Sequence, residues 1–292
     1  MFRQWRPSPG KTMALPDCTG VCTPDKILFL WSVKARSCGH VHNPSASGGL
    51  PLELDTPAEV VHYQDQCVQE SLLSCYHTTM KTRIDLHVHS KLSGDTDAEP
   101  EELIMHAIKQ GLHGIAFTEH YSYEVSEPLE EMRERYKDKI MIFRGVEFSA
   151  LEGHCLIFGV NTDALSINHL PLEEMVRIVN ESGGVVIPSH PYRKGNSLGD
   201  VIKNAPGICA LEGYNGCNMH AYNAKAVEMA RVLSIPYTGG SDAHLPAEVG
   251  LCLTEFEDEV TPRTLVPLLK KGNYRGFDNR PRFSPSTAIL FL

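Results

Sequence analysis

From residue 83 onward, short β-branched or aliphatic runs alternate with amphipathic segments, and that alternation leaves few folds open. The runs predict strands at 83–88, 114–118, 141–147, 154–160, 184–188, 208–213 and 235–239. The amphipathic segments predict helices at 99–111, 128–138, 171–182, 219–233 and 261–271. Pro100 followed by Glu101 and Glu102 puts a proline and acidic charge into a first helical turn. Gly111 and Gly183–Gly184 stand where glycine ends helices. Strands alternating with helices read as parallel βα units. Polar side chains suited to chemistry follow almost every strand. The expected class is therefore α/β, a distorted seven-stranded (β/α)7 barrel, TIM-like, rather than an open doubly wound sheet. Such a barrel gathers its strand C-termini around one mouth.

Composition changes near residue 80. Residues 1–79 hold both tryptophans and turn-rich stretches such as NPSASGG, with one amphipathic stretch from Pro57 to Cys75. They are expected to be a poorly ordered extension or a non-native start, with Met80 as the natural first residue. Cys18, Cys22, Cys38, His40 and His42 do not have the spacing of a tight two-pair zinc knuckle. Residues 80–285 are expected to form the working domain, with a short C-terminal region at about 208–280.

Nine side chains between residues 85 and 244 have the chemistry of metal ligands: His87, His89, Asp95, His120, Glu147, His154, His190, Asp242 and His244. Six imidazoles and three carboxylates are too many for one tetrahedral site and about right for two or three ions. In IDLHVHS the two histidines are two residues apart, which on a strand points both to one face, together with Asp85. Asp85 could orient an imidazole from behind. Glu147 closes the apolar run IMIFRGVEFS, where an unpaired acid would be costly. Arg193 and Lys194 follow SHPY, and Arg193 is the candidate for gripping a substrate phosphate. Glu119 lies beside His120 and could support it from behind or make a surface ion pair. Asn215 and Asn223 fall near the mouth with no assigned role.

The ordered series DLHVHS, TEH, GVE, the lone His154, SHP and GGSDAH resembles the PHP (polymerase and histidinol phosphatase) superfamily over roughly residues 82–280. The stretch from ALEGYNG to GGSDAHLPAEVG resembles stand-alone members rather than polymerase-embedded ones. The resemblance implies a metal-dependent phosphoesterase with a distorted seven-stranded barrel. It implies a first metal on His87, His89, Glu147 and Asp242, and a second on Glu147, as bridge, with His154 and His190. A third would take Asp95, His120 and His244, Asp95 being a slot that holds histidine in some relatives. Glu147, Asp242 and His190 are then the catalytic members, and the cofactors are two or three divalent ions (Zn, Mn or Fe).

A formal net charge of −9 argues against a broadly electropositive nucleic-acid surface. No apolar run nears the ~20 residues a membrane span needs, and the expected location is cytoplasmic, with no membrane partner. Cys155, Cys209, Cys217 and Cys252 neighbour apolar residues and are expected to be buried thiols. His106, His113, His169 and His220 are expected at the surface. The expected substrate is a small phosphorylated metabolite or nucleotide, as for a histidinol-phosphatase-like enzyme. The alternative is 5′–3′ exonucleolytic or phosphodiester cleavage at short RNA or DNA ends, toward which Lys270, Lys271, Arg275, Arg280 and Arg282 offer a basic C-terminal stretch. An amidohydrolase would place a modified lysine where Glu147 stands, and a non-enzymatic module would lack ligands; neither fits.

Overall fold

The computed structural model describes residues 81–120, 122–161, 165 and 169–281. The expected extension 1–79, its amphipathic stretch, its cysteines and Arg282 lie outside the described residues.

Nine strands are described: β1 Thr82–Val88, β2 Gly114–Phe117, β3 Met141–Ser149, β4 His154–Phe158, β5 Val185–Pro188, β6 Leu211–Asn215, β7 Tyr237–Gly240, β8 Cys252–Phe256 and β9 Tyr274–Asp278. Five α-helices join them: α1 Pro100–Lys109, α2 Leu129–Tyr136, α3 Leu172–Glu181, α4 His220–Leu233 and α5 Leu265–Lys271. All seven expected strands and five expected helices form, each within a few residues of the predicted bounds. Two strands, β8 and β9, were not expected.

The chain is an α/β protein, but the seven-stranded parallel barrel is not what forms. A curled seven-stranded sheet runs β5-β4-β3-β2-β1-β8-β9, and β6 and β7 make a separate parallel pair. Only β1–β2 and β2–β3 are parallel within the large sheet. The β3–β4, β4–β5, β1–β8 and β8–β9 pairs are antiparallel. The reason is chain length. Residues 150–153 form a tight turn between β3 and β4, whereas a parallel return needs a crossover of about a dozen residues or more. The β6–β7 pair meets the large sheet through scattered hydrogen bonds rather than a continuous ladder. On one side Cys209 N–H donates to Val186. On the other, Asp242 N–H donates to the His87 carbonyl at 2.7 Å and His89 N–H to Ala243 at 2.9 Å.

The helices form because their apolar positions recur on one face. In α3 the buried side chains are Leu172, Met175, Val176 and Val179, an i, i+3, i+4, i+7 stripe. Each is worth about 1.5–3 kcal/mol relative to exposure. The stripe packs in one core cluster with Val146, Ile157 and Val186 of the sheet. A start proline and two glutamates in the first turn open α1, as expected, and Gly272 in the left-handed conformation closes α5. This packing fixes the strands, and their C-terminal ends carry the site.

Candidate metal centre

All nine expected ligands converge. The end of β1 and the residue that follows it deliver His87 and His89, with their Nε2 atoms 3.0 Å apart. The end of β3 delivers Glu147, the start of β4 delivers His154, and the segment after β5 delivers His190. The turn after β7 delivers Asp242 and His244. Four groupings place one donor atom of each member within 4.8 Å: His87–His89–Asp242, Glu147–His154–His190, His89–His120–Glu147 and His89–Asp95–His244.

Glu147 is the hub. Its Oε1 lies 2.8 Å from His190 Nε2, 3.4 Å from His154 Nδ1 and 3.5 Å from His87 Nε2. Its Oε2 lies 3.4 Å from His89 Nε2 and 3.5 Å from His120 Nδ1. One carboxylate thus faces two groups of imidazoles with separate oxygens. Ser189 Oγ donates to Oε1 at 2.6 Å and fixes the rotamer. Asp242 stands 3.4 Å from both His87 and His89. Asp95 Oδ2 is 3.1 Å from Nε2 of both His120 and His244, so the three residues expected to act together do meet. His89 also belongs to that outer group, a sharing the sequence did not suggest.

Hydrogen bonds decide which ring nitrogens face inward. The Glu212 carboxylate can only accept, so His87 donates to it through Nδ1–H at 2.8 Å. Ser93 Oγ gives its proton to Glu119, so it accepts from His89 Nδ1–H at 3.0 Å. His244 Nδ1–H donates to the Asp242 carbonyl at 2.9 Å. Each of these bonds turns an Nε2 lone pair toward the cluster, the usual arrangement behind a metal-bound histidine. Glu119 therefore acts through Ser93 on His89, not in a surface ion pair. Asp85 does not touch an imidazole. Its carboxylate takes backbone N–H groups of Ser241, Gly250 and His87 instead, and burial pushes its pKa up to about 6.

The donor set fits divalent cations. Two Nε2 lone pairs 3.0 Å apart in a buried site repel unless a cation or a proton lies between them. Nδ1 of His154 and Nδ1 of His190 are buried without a hydrogen-bond partner. Burial opposes charge on His87, but Asp242, Glu212 and Glu147 together hold it protonated well above the ordinary imidazole range. Burial likewise opposes charge on His89, yet Asp242 and Glu147 raise it to about 9. Burial would raise Glu147, but His87 and His190 hold it well below the usual carboxylate range. The same balance lowers Asp242, burial again opposing and His87 and His89 prevailing. A cation taken up here would displace protons.

Arg193 reaches over this rim. It donates to Asp242 Oδ2 at 2.6 Å and stands 2.8 Å from His190 Nε2. Lys194 is exposed. The basic C-terminal stretch is largely paired within the fold: Lys271 with Asp258, Arg275 with Glu255, Arg280 with Asp278, and Lys270 on the Gly183 carbonyl. The four cysteines of this region are free, as expected, but Cys217 is exposed and Cys209 half-buried, because only Cys155 and Cys252 lie within strands packed on the core. His113, His169 and His220 are exposed as expected, and His106 is half-buried.

Glu212 and Ser93 were missed. Glu212 sits in ALEGYNG, where an acid ends an apolar run as Glu147 does, and that signal could have found it. Ser93 carries no such signal, being one serine in a polar loop. Asn215 and Asn223 acquire roles: Asn215 Nδ2 donates to Glu212 and Asp242, and Asn223 ties the start of α4 to β6. Among the described residues no helix is long and apolar enough to cross a membrane.

Two family profiles match the chain: the PHP domain over residues 85–197 and the PHP-associated region over residues 220–274. A protein of Methanocaldococcus jannaschii, named uncharacterized protein MJ1587, is 28% identical over 131 residues, covering 41% of this chain and 74% of its own length. The crystal structure of PsfC from Pseudomonas syringae is similar in fold, with a TM-score of 0.53 at 19% identity, over 72% of this chain and 96% of that one. The lesion-specific endonuclease PfuEndoQ from Pyrococcus furiosus gives the same TM-score, 0.53, at 19% identity, over 72% of this chain and 66% of that one.

Proposed function

Since the chain belongs to the PHP family of metal-dependent phosphoesterases, we propose that its nine-ligand centre hydrolyses the phosphate ester of a small phosphorylated metabolite or nucleotide. One observation carries the reading: the buried Glu147 carboxylate stands within 3.5 Å of imidazoles from every group, Oε1 beside His87, His154 and His190 and Oε2 beside His89 and His120, the position a carboxylate shared by neighbouring cations would take. Two or three divalent ions (Zn, Mn or Fe) would be held by His87, His89 and Asp242, by His154 and His190, and by Asp95, His120 and His244, with Glu147 shared. When bound, such ions lower the pKa of a water and neutralise charge on the phosphoryl oxygens.

The protein's own residues do the rest. Glu212, and Ser93 with Glu119 behind it, hold His87 and His89 in the tautomer that offers Nε2 inward. Ser189 and His190 keep Glu147 in one rotamer. Arg193, with a side chain 30% exposed beside Asp242, is placed to take a phosphate oxygen at the mouth. The β1 and β3 walls behind the ligands are buried, which keeps bulk water from the inner side of the reacting ester.

The test is a panel of phosphomonoesters, mononucleotides and 5′-labelled oligonucleotides, assayed after chelation and after reloading with Mn²⁺, Zn²⁺ or Fe²⁺. Phosphate release from small esters that chelation abolishes and metal restores is the expected result. Mononucleotide release from oligonucleotides would move the assignment to the nuclease alternative. No turnover of any ester by the reloaded protein overturns the hydrolytic reading.

A further inference from the structure

Glu212 lies on β6, outside the nine ligands, and is 1% exposed. Its Oε1 accepts from His87 Nδ1 at 2.8 Å, and its Oε2 accepts from the His190 backbone N–H at 2.6 Å and from Asn215 Nδ2 at 3.0 Å. The same Asn215 amide donates to Asp242 Oδ2 at 3.2 Å. One carboxylate therefore reaches a ligand on β1, the backbone of a ligand after β5 and, through a single amide, a ligand after β7.

Two further observations bear on why it is there. His190 and Asp242 have φ of 32° and 56°, the left-handed region that side-chain-bearing residues rarely occupy, and such conformations persist only when their surroundings hold them. Glu212 touches the first directly and the second through Asn215. In addition, among the described residues the one ion-pair partner of this buried carboxylate is His87; no lysine or arginine pairs with it. A buried carboxylate needs a positive charge nearby, and the ring that offers one is His87, which would pass on the charge of a cation bound on its far side. Space has been left for the contact as well: a Cβ on Gly240 would stand 2.4 Å from His87 Cβ and 2.9 Å from Glu212 Oε1.

We propose that Glu212 is a positioning residue that ties the His87–His89–Asp242 group to the Glu147–His154–His190 group, so that both capture metal as one unit. This rests on the metal reading above and adds to it the residue that couples the two groups. It is not a catalytic residue, because it reaches the centre only through His87, Asn215 and the His190 backbone.

The experiment is a titration of the full-length, chelator-stripped protein with Co²⁺, read by calorimetry and by the visible absorption of the bound ion. Glu212→Gln keeps the size and the acceptor oxygen but removes the charge. It is expected to raise the Kd of the tightest-binding ion about 10- to 100-fold and to shift the absorption bands, without lowering the melting temperature of the stripped protein. Glu255→Gln, at an equally buried acid held by Lys81, Arg83 and Arg275, is expected to leave both readouts unchanged. Asn215→Ala removes the amide that links Glu212 to Asp242, leaves the Glu212 contacts to His87 and the His190 backbone in place, and is expected to weaken binding about 10-fold; it decides the matter if Glu212→Gln does not fold. An unchanged Kd and spectrum in whichever variant folds overturns the inference. A wild-type protein that binds no Co²⁺ at all overturns instead the metal reading on which it rests.

Discussion

The inner end of the centre and its outer end are built on different terms. At the inner end the side chains of His87, His89 and His190 are 0% exposed and those of Glu147 and Asp242 2%. At the outer end Asp95 and His244 are 36% exposed and His120 20%. Inner charges cannot be screened by water, so the fold supplies a buried acceptor behind each ring of β1: Glu212 behind His87, and Ser93 with Glu119 behind His89. Outer ligands can be relaxed by solvent and receive less support. His244 rests on a backbone carbonyl, and Asp95 sits in a loop between short elements. On the reading proposed above, the inner groups would hold their cations tightly, whereas the outer group would gain and lose its ion more readily.

The hardest blow to that contrast is Glu147→Gln. It removes the charge and one oxygen of the carboxylate shared by both inner groups, leaving Asp242 as the inner carboxylate that faces the ring Nε2 atoms of His87 and His89. We expect kcat/KM against the best phosphomonoester to fall on the order of 10³-fold and bound metal, measured by plasma mass spectrometry, to drop by more than one ion per chain. Near-normal activity with full metal content would show that the inner group does not depend on its hub.

A smaller effect is expected from Asp95→Ala. The variant should weaken only the loosest-bound metal, by about 10-fold, and leave the tighter ions and the melting temperature unchanged, as read by stepwise chelator competition. Loss of every ion in this variant would erase the distinction between the two ends.

Much of the centre was legible in the sequence because strands turn spacing into geometry. His87 and His89, two apart on a strand, had to share a face, and Glu147 closing an apolar run had to find partners. The helices were legible for the same reason, their stripes being periodic. Closure of the barrel was not legible, because strand direction depends on connection length and partner choice. The turn at 150–153 makes β4 an antiparallel neighbour of β3, and β8 and β9 take an edge that a closed barrel would not have. Both late strands are short and flanked by charge, so periodicity says little about them. Asp85 was misjudged as an imidazole partner because alternation gives the face of a side chain but not its reach. Glu212 does that task from a strand more than a hundred residues later.

The most direct test is diffraction from crystals of the metal-loaded protein, with anomalous maps recorded on either side of the absorption edge of the bound metal. Two neighbouring peaks are expected, each about 2.0–2.2 Å from the Glu147 carboxylate, one ringed by His87, His89 and Asp242 and the other by His154 and His190. Peaks confined to the outer group, or elsewhere on the surface, with Glu147 free of metal would contradict it.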